Sequence, residues 1–174
     1  MRTQSAAEAP RPRPSLLDRL IDDAPDRLRD PQPSAGEALM ALRQSVRRDL
    51  EALLNAHRRW RSWPASYSEL DISPLAWGIP DFTAGAFAEP DQRERLCAEV
   101  EEAIRRFEPR LARVRVSLRD PKDALAPTLH LRIDGLLRIE PAPEPIAFDT
   151  LIDPATAAVR VLANADRRSP PEDV

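Results

Sequence analysis

Apolar positions along the chain follow two different spacings, and the change between them divides it. Leu39, Leu42, Val46, Leu50, Leu53 and Leu54 recur at steps of three and four, with the charges of "RQSVRRDLE" mostly between them, the pattern of an amphipathic helix. Ser34 and, three residues later, Glu37 form a capping box just after the breaker of Asp30 to Pro33, so the helix is expected over residues 36–60. A second series, Leu96, Val100, Ala103, Ile104, Phe107 and Leu111, predicts a helix opened by Pro90. Its other side carries Arg95, Glu99, Glu102 and Arg106, the last two in the favourable i,i+4 order. Upstream, Ser15 caps a short stretch with Leu16, Leu17, Leu20 and Ile21 on one side, too short to be stable alone.

From Arg113 the period falls to two. Val114, Val116 and Leu118 alternate with Arg113, Arg115, Ser117 and Arg119, a half-exposed strand. After the turn-rich Asp120 to Pro127, a second strand has Leu129, Leu131, Ile133, Leu137 and Ile139 inward and His130, Arg132, Asp134 and Arg138 outward, with Gly135 marking a candidate bulge. "FDTLID", a turn at Pro154 to Thr156, and "AVRVL" supply the rest. Two helices followed by three or four consecutive strands is an α+β order: two main helices on one face of a small, largely antiparallel sheet, plus the short N-terminal helix. Between the helices, "RSWPASYSELDISPLAWGIPDFTAGAFAEP" reads as a long structured connection.

Composition fits one domain: 174 residues, 42% hydrophobic and 32% charged. Six of the 19 prolines fall in the first 33 residues, and the chain closes on "DRRSPPEDV". The expected layout is therefore a disordered tail over 1–14, a short helix and linker over 15–33, the α+β domain over 34–162, and a second tail over 163–174. No apolar run is long enough to cross a bilayer, and no signal-peptide core stands at the N-terminus, which points to the cytoplasm. Cys97 is the one cysteine, expected as a small buried hydrophobe. A net charge of -3 argues against general attraction to nucleic acid.

Candidate chemistry is thin. His57 and His130 have no partners at metal-ligand spacing, and no phosphate-cradling or nucleophile motif is present, so no cofactor and no metal are expected. Glu108 with Asp71, Asp81 or Asp134 is the one carboxylate pairing that a glycosidase would need. Arg105, Arg106 and Arg110 crowd Glu108, however, and neighbouring cations favour an ion-pair partner over a proton donor. Arg105, Arg106, Arg110, Arg113, Arg115 and Arg119 lack the aromatic interleaving of a nucleic-acid surface; the strand arginines suit a solvated face or an acidic protein partner.

Glu108 is placed inward by phase, since it follows Ile104 by four on the helix and shares the parity of Val114 and Val116 when counted back from the strand with Arg110 and Ala112. Pro109 ends the helix near Phe107 or Glu108. A carboxylate at the negative end of a helix needs a compensating partner, and Arg110 is the nearest. Two readings stay open: an internal ion pair that fixes the helix-to-strand angle, or a fork presented to another protein.

"AIRRFEPRL" leading into "VRVSL", preceded by "SPLAWGIPDFT" and opened by "SLLDRL", resembles the TssE family, baseplate subunits of bacterial type VI secretion systems related to a contractile-phage baseplate wedge protein and labelled lysozyme-like. The likeness spans roughly residues 15 to 162 and includes the "GIPDF" loop, Gly78 to Phe82; one departure is Ala157, where the family often has a turn glycine. The resemblance implies a non-catalytic assembly role at the cytoplasmic side of the inner membrane. It implies TssF and TssG as wedge partners, anchored through Glu108, Pro109 and Arg110, and a sheet edge to which the TssB and TssC sheath adds strands by β-augmentation. It implies no nucleic-acid partner and no membrane insertion. The last strand, Val159 to Leu162, is the expected receiving edge.

Overall fold

The capping box at Ser34 forms as the sequence demands: the Ser34 N–H donates to Glu37 at 2.7 Å and the Glu37 N–H to the Ser34 hydroxyl at 3.3 Å. The computed structural model describes residues 12, 14–21, 25–26, 32–58, 62–81, 89–119, 128–153 and 155–163. Both expected tails up to residue 11 and from residue 164, most of the linker before Gln32, and the 120–127 connection lie outside the described residues, as do Phe82 and Pro154. In chain order the elements are α1 (Leu16–Leu20), α2 (Ala35–Asn55), α3 (Pro90–Phe107), β1 (Leu111–Arg119), β2 (Leu129–Leu137), β3 (Glu144–Ile152) and β4 (Val159–Ala163). Two stretches of 3-10 helix, Ala65–Ile72 and Pro74–Ala76, lie between α2 and α3.

The four strands form one antiparallel meander in the order β1-β2-β3-β4, which gives the expected α+β architecture. Helix α2 packs along β4 and α3 along β1, on the same face of the sheet. The core between them takes Leu42, Val46, Leu50, Leu53 and Leu54 from α2 and Leu96, Val100, Ala103 and Ile104 from α3. Leu131, Ile133, Phe148 and Val161 rise from the sheet to meet them. Each such fully buried large side chain is worth about 1.5–3 kcal/mol over an exposed one. Cys97 joins this core, as expected.

Several boundaries differ from the sequence reading. Helix α2 stops at Asn55 and not near residue 60. The Ala56 carbonyl instead accepts from the Ile79 N–H at 3.0 Å, and the Arg58 N–H donates to the Ile79 carbonyl at 2.8 Å. Gly78 makes this possible: its φ is +107°, and a Cβ there would stand 2.2 Å from the Ala56 carbonyl oxygen. Strand β1 begins at Leu111, because its register to β2 shifts between Leu111, opposite Leu137, and Arg113, opposite Leu136. Ala112 is the extra residue, so the bulge lies on β1 and not at Gly135, which pairs regularly with Ile146. Gly135 instead gives the bulge room, since a Cβ there would lie 3.1 Å from the Arg113 carbonyl oxygen. Finally, β3 starts at Glu144, four residues before "FDTLID".

Candidate functional site

Helix α3 ends where Pro109 forces it to. Glu108 is its C-cap, with φ −118° and ψ 78°, and its N–H still closes on the Ile104 carbonyl at 2.8 Å. The Leu111 N–H then bonds the Glu108 carbonyl, so the chain turns at once into β1. Helical phase carries the Glu108 side chain inward, and the residue is 4% exposed. Strand parity carries through this junction only in part. Ala112 is exposed, because the bulge resets the alternation between Glu108 and Val114.

A buried carboxylate at this end of a helix needs a cation, and Arg110 supplies it as a two-pronged fork. Its Nε donates to Glu108 Oε1 at 2.7 Å and its Nη2 to Oε2. The same guanidinium reaches α2, where Nη1 donates to the Ser45 hydroxyl at 2.9 Å and Nη2 to Asp49 Oδ2 at 2.6 Å. Ser45 in turn donates to Asp18 Oδ2 at 2.6 Å, and Arg48 bridges Asp18 at 2.7 Å and Asp49 at 3.1 Å. The result is a closed ring through Arg110, Ser45, Asp18, Arg48 and Asp49, with Glu108 on its inner side. It fastens α1, α2 and the α3–β1 junction to one another. Three carboxylates face two guanidiniums, which leaves one net negative charge.

The ring sets the ionisation of its members. The Glu108 carboxylate, and after it Asp49, pushes Arg110 further above its already high ordinary value despite burial. Burial alone would raise Asp18, but hydrogen bonds from Ser15, Ser45 and Arg48 outweigh it and hold that carboxyl well below the usual range. Four of the five guanidinium N–H groups of Arg110 are committed, so one on Nη1 has no acceptor among the described residues.

Beside the ring lies a cleft of about 460 Å³. Leu50, Leu53, Trp77 and Phe107 give it apolar walls, Trp77 meeting Phe107 edge to face at 5.1 Å between ring centres. Asp49, Glu108 and Arg110 line its charged side, and the exposed Pro109 stands at its rim. The expected triplet thus meets at one place, whereas Ser45, Asp49, Asp18, Arg48 and Trp77 were not singled out in the sequence. One signal was available: Ser45 and Asp49 stand four apart along the apolar stripe of α2, where polar residues need a reason to be.

The other candidates are dispersed. Asp71 accepts the Trp63 indole N–H at 3.0 Å, Asp134 pairs with Arg132 at 2.8 Å on β2, and Asp81 is exposed. The carboxylate that shares the surroundings of Glu108 is Asp49, and Arg110 sits between the two, so no acid and base face one another across the cleft. His57 is exposed beside the Ile79 bridge, and His130 lies on β2. Arg105 and Arg106 pair with Glu101 and Glu102 of their own helix, while Arg113 and Arg115 stand exposed on β1. Among the described residues no group of His, Cys, Asp and Glu is arranged to hold a metal ion, and no helix is long and apolar enough to cross a membrane.

Residues 40–142, from the first turns of α2 to just before β3, match the model of a family described as baseplate wedge protein gp25. No curated protein matches the chain.

Proposed function

The chain belongs to the baseplate wedge protein gp25 family, and on that premise we propose that it is a TssE-type structural subunit of a type VI secretion apparatus. In this reading it joins the TssF and TssG wedge subunits to the TssB and TssC sheath, at the cytoplasmic side of the inner membrane, and starts sheath polymerisation by offering a sheet edge. Its work is binding, not catalysis.

One observation supports the wedge assignment above others: Glu108, Pro109 and Arg110 border an apolar cleft that lies wholly on elements of the matched span except for Ser15. A cleft with apolar walls and a charged, hydrogen-bonded rim takes an anchoring side chain from a partner, while the rim excludes water. The residual negative charge of the ring favours a partner segment that carries a cation beside its apolar anchor. Glu108 and Arg110 act here as the scaffold of the rim, and Pro109 as its exposed contact.

The test is co-purification with TssF and TssG homologues of wild type beside Pro109→Glu. This change sets a charge at the cleft rim; because it also removes the proline that ends α3, the free protein is first compared with wild type by its melt, and the comparison is made between folded proteins. Loss of the wedge subunits from the purified complex is the expected result. Full retention would remove the cleft from the wedge interface.

A further inference from the structure

A four-stranded meander has two free edges, and this one treats them differently. On β4 the outward backbone groups belong to Val159, Val161 and Ala163, and side chains of α2 occupy all four of those on Val159 and Val161. The Val159 N–H donates to Asn55 Oδ1 at 2.9 Å, and Asn55 Nδ2 donates to the Val159 carbonyl at 2.8 Å. The Val161 N–H donates to Glu51 Oε2 at 3.1 Å, and Arg47 Nη1 to the Val161 carbonyl at 3.0 Å. An arriving strand would have to displace three side chains that are held in turn by their helix.

On β1 the outward groups belong to Val114, Val116 and Leu118. Of these six, one is bonded among the described residues: the Val116 N–H, which donates to Glu101 Oε2 at 2.9 Å. Glu101 therefore stands where the first carbonyl of an added strand would stand, and Arg105, which already holds its other oxygen, gives it somewhere to go. The solvent face of the same strand carries Arg113 and Arg115, both exposed and without an ion pair among the described residues. A row of backbone groups with five of six unpaired among the described residues, beside two free cations, is a surface for an extended segment with alternating acidic side chains.

We propose that the outer edge of β1, not that of β4, receives the incoming sheath strand, and that this strand sets carboxylates against Arg113 and Arg115 and apolar side chains over Leu118. The proposal rests on the sheath-binding reading above and replaces its expected edge, Val159 to Leu162. Glu101 acts as a latch that blocks the edge until a strand carbonyl takes its place at the Val116 N–H.

The experiment places a single cysteine, labelled with a benzophenone maleimide as photo-crosslinker, in a Cys97→Ala background, at Ser117→Cys on β1 or at Ala163→Cys on β4, both exposed positions. Each protein is mixed with purified cognate TssB–TssC, and crosslink yield is read beside co-sedimentation. Yield from Ser117→Cys is expected to exceed that from Ala163→Cys by at least about tenfold, and Arg113→Glu/Arg115→Glu is expected to cut it by about tenfold. Glu101→Ala should raise it, since it removes the competing acceptor. Crosslinking from Ala163→Cys alone would overturn the edge assignment and leave strand addition standing. Co-sedimentation with no crosslink at either position would overturn both, and loss of co-sedimentation for every variant and for wild type would remove the sheath reading itself.

Discussion

Replacing Arg110 with methionine keeps most of the side-chain volume and removes the guanidinium, which strands the Glu108 carboxylate. That residue is 4% exposed; without the Nε and Nη2 donors it keeps only the residue-110 backbone N–H, at 3.2 Å. Breaking a buried ion pair from one side costs about 3–5 kcal/mol. The Arg110 side chain is 22% exposed and borders an open cleft, so the low end, about 3 kcal/mol, is expected at neutral pH. Glu108→Gln/Arg110→Met removes both charges and is expected to cost about 1 kcal/mol, so the double substitution should be milder than Arg110→Met alone. Urea unfolding reads this directly. With a slope of about 2 kcal/mol per molar urea, the single variant should lose about 1.5 M of midpoint and the double variant about 0.5 M. A double variant whose loss equals the sum of the two single losses would refute the view that Glu108 and Arg110 act as one unit.

Further outcomes follow from other sites. Thr150 is fully buried near the C-terminal end of β3 and its Oγ1 has no hydrogen-bond partner among the described residues, so Thr150→Val should stabilise the fold by about 1 kcal/mol in a thermal melt; destabilisation would show that the hydroxyl is bonded. Ala157 holds φ +56°, and Ala157→Gly should gain up to about 1 kcal/mol. Gly78→Ala, against the Ala56 carbonyl, should lose more than about 2 kcal/mol. The depressed Asp18 pKa means that its contribution is complete above the ordinary value of 3.8 and fades as pH falls through the lower folded value. The stability gap between wild type and Asp18→Asn should therefore hold from neutral pH to about pH 5 and shrink in stronger acid; a gap that widens in acid would contradict the ring.

Much of the fold was legible because local chemistry and burial agree. Ser34 with Glu37 started α2, the Leu42–Val46–Leu50 stripe gave its buried side, and the change of period at Arg113 announced the sheet. Ala157 is telling, since the position where the family often has glycine does adopt the left-handed conformation that favours it. What escaped the sequence depends on partners far along the chain. Helix α2 yields at Ala56 to a bridge with Ile79, and nothing near residue 56 records that. Gly135 signalled a bulge but could not say which strand carries it. At the site, the inward turn of Glu108 and its pairing with Arg110 could be read from three adjacent residues. The extension to Ser45 and Asp49 spans more than sixty positions, and Asp18 enters only through α2. Because of this extension, Arg110→Glu would bring a third carboxylate against Glu108 and Asp49 and unsettle the fold along with any interface. Similarly, the closure of the β4 edge by Arg47, Glu51 and Asn55 is a tertiary fact about polar residues that look like an ordinary solvated helix face.

The central claim is that the Glu108–Pro109–Arg110 rim and its cleft form the wedge interface of this chain. Titration of purified TssF–TssG homologue complex onto wild type, Pro109→Glu and Glu108→Gln/Arg110→Met, with each free protein first shown to be folded by its melt, measures that claim most directly. The expected result is an affinity lowered at least about tenfold for both variants, or about 1.4 kcal/mol, with the folded state retained. Wild-type affinity in both folded variants would contradict the account.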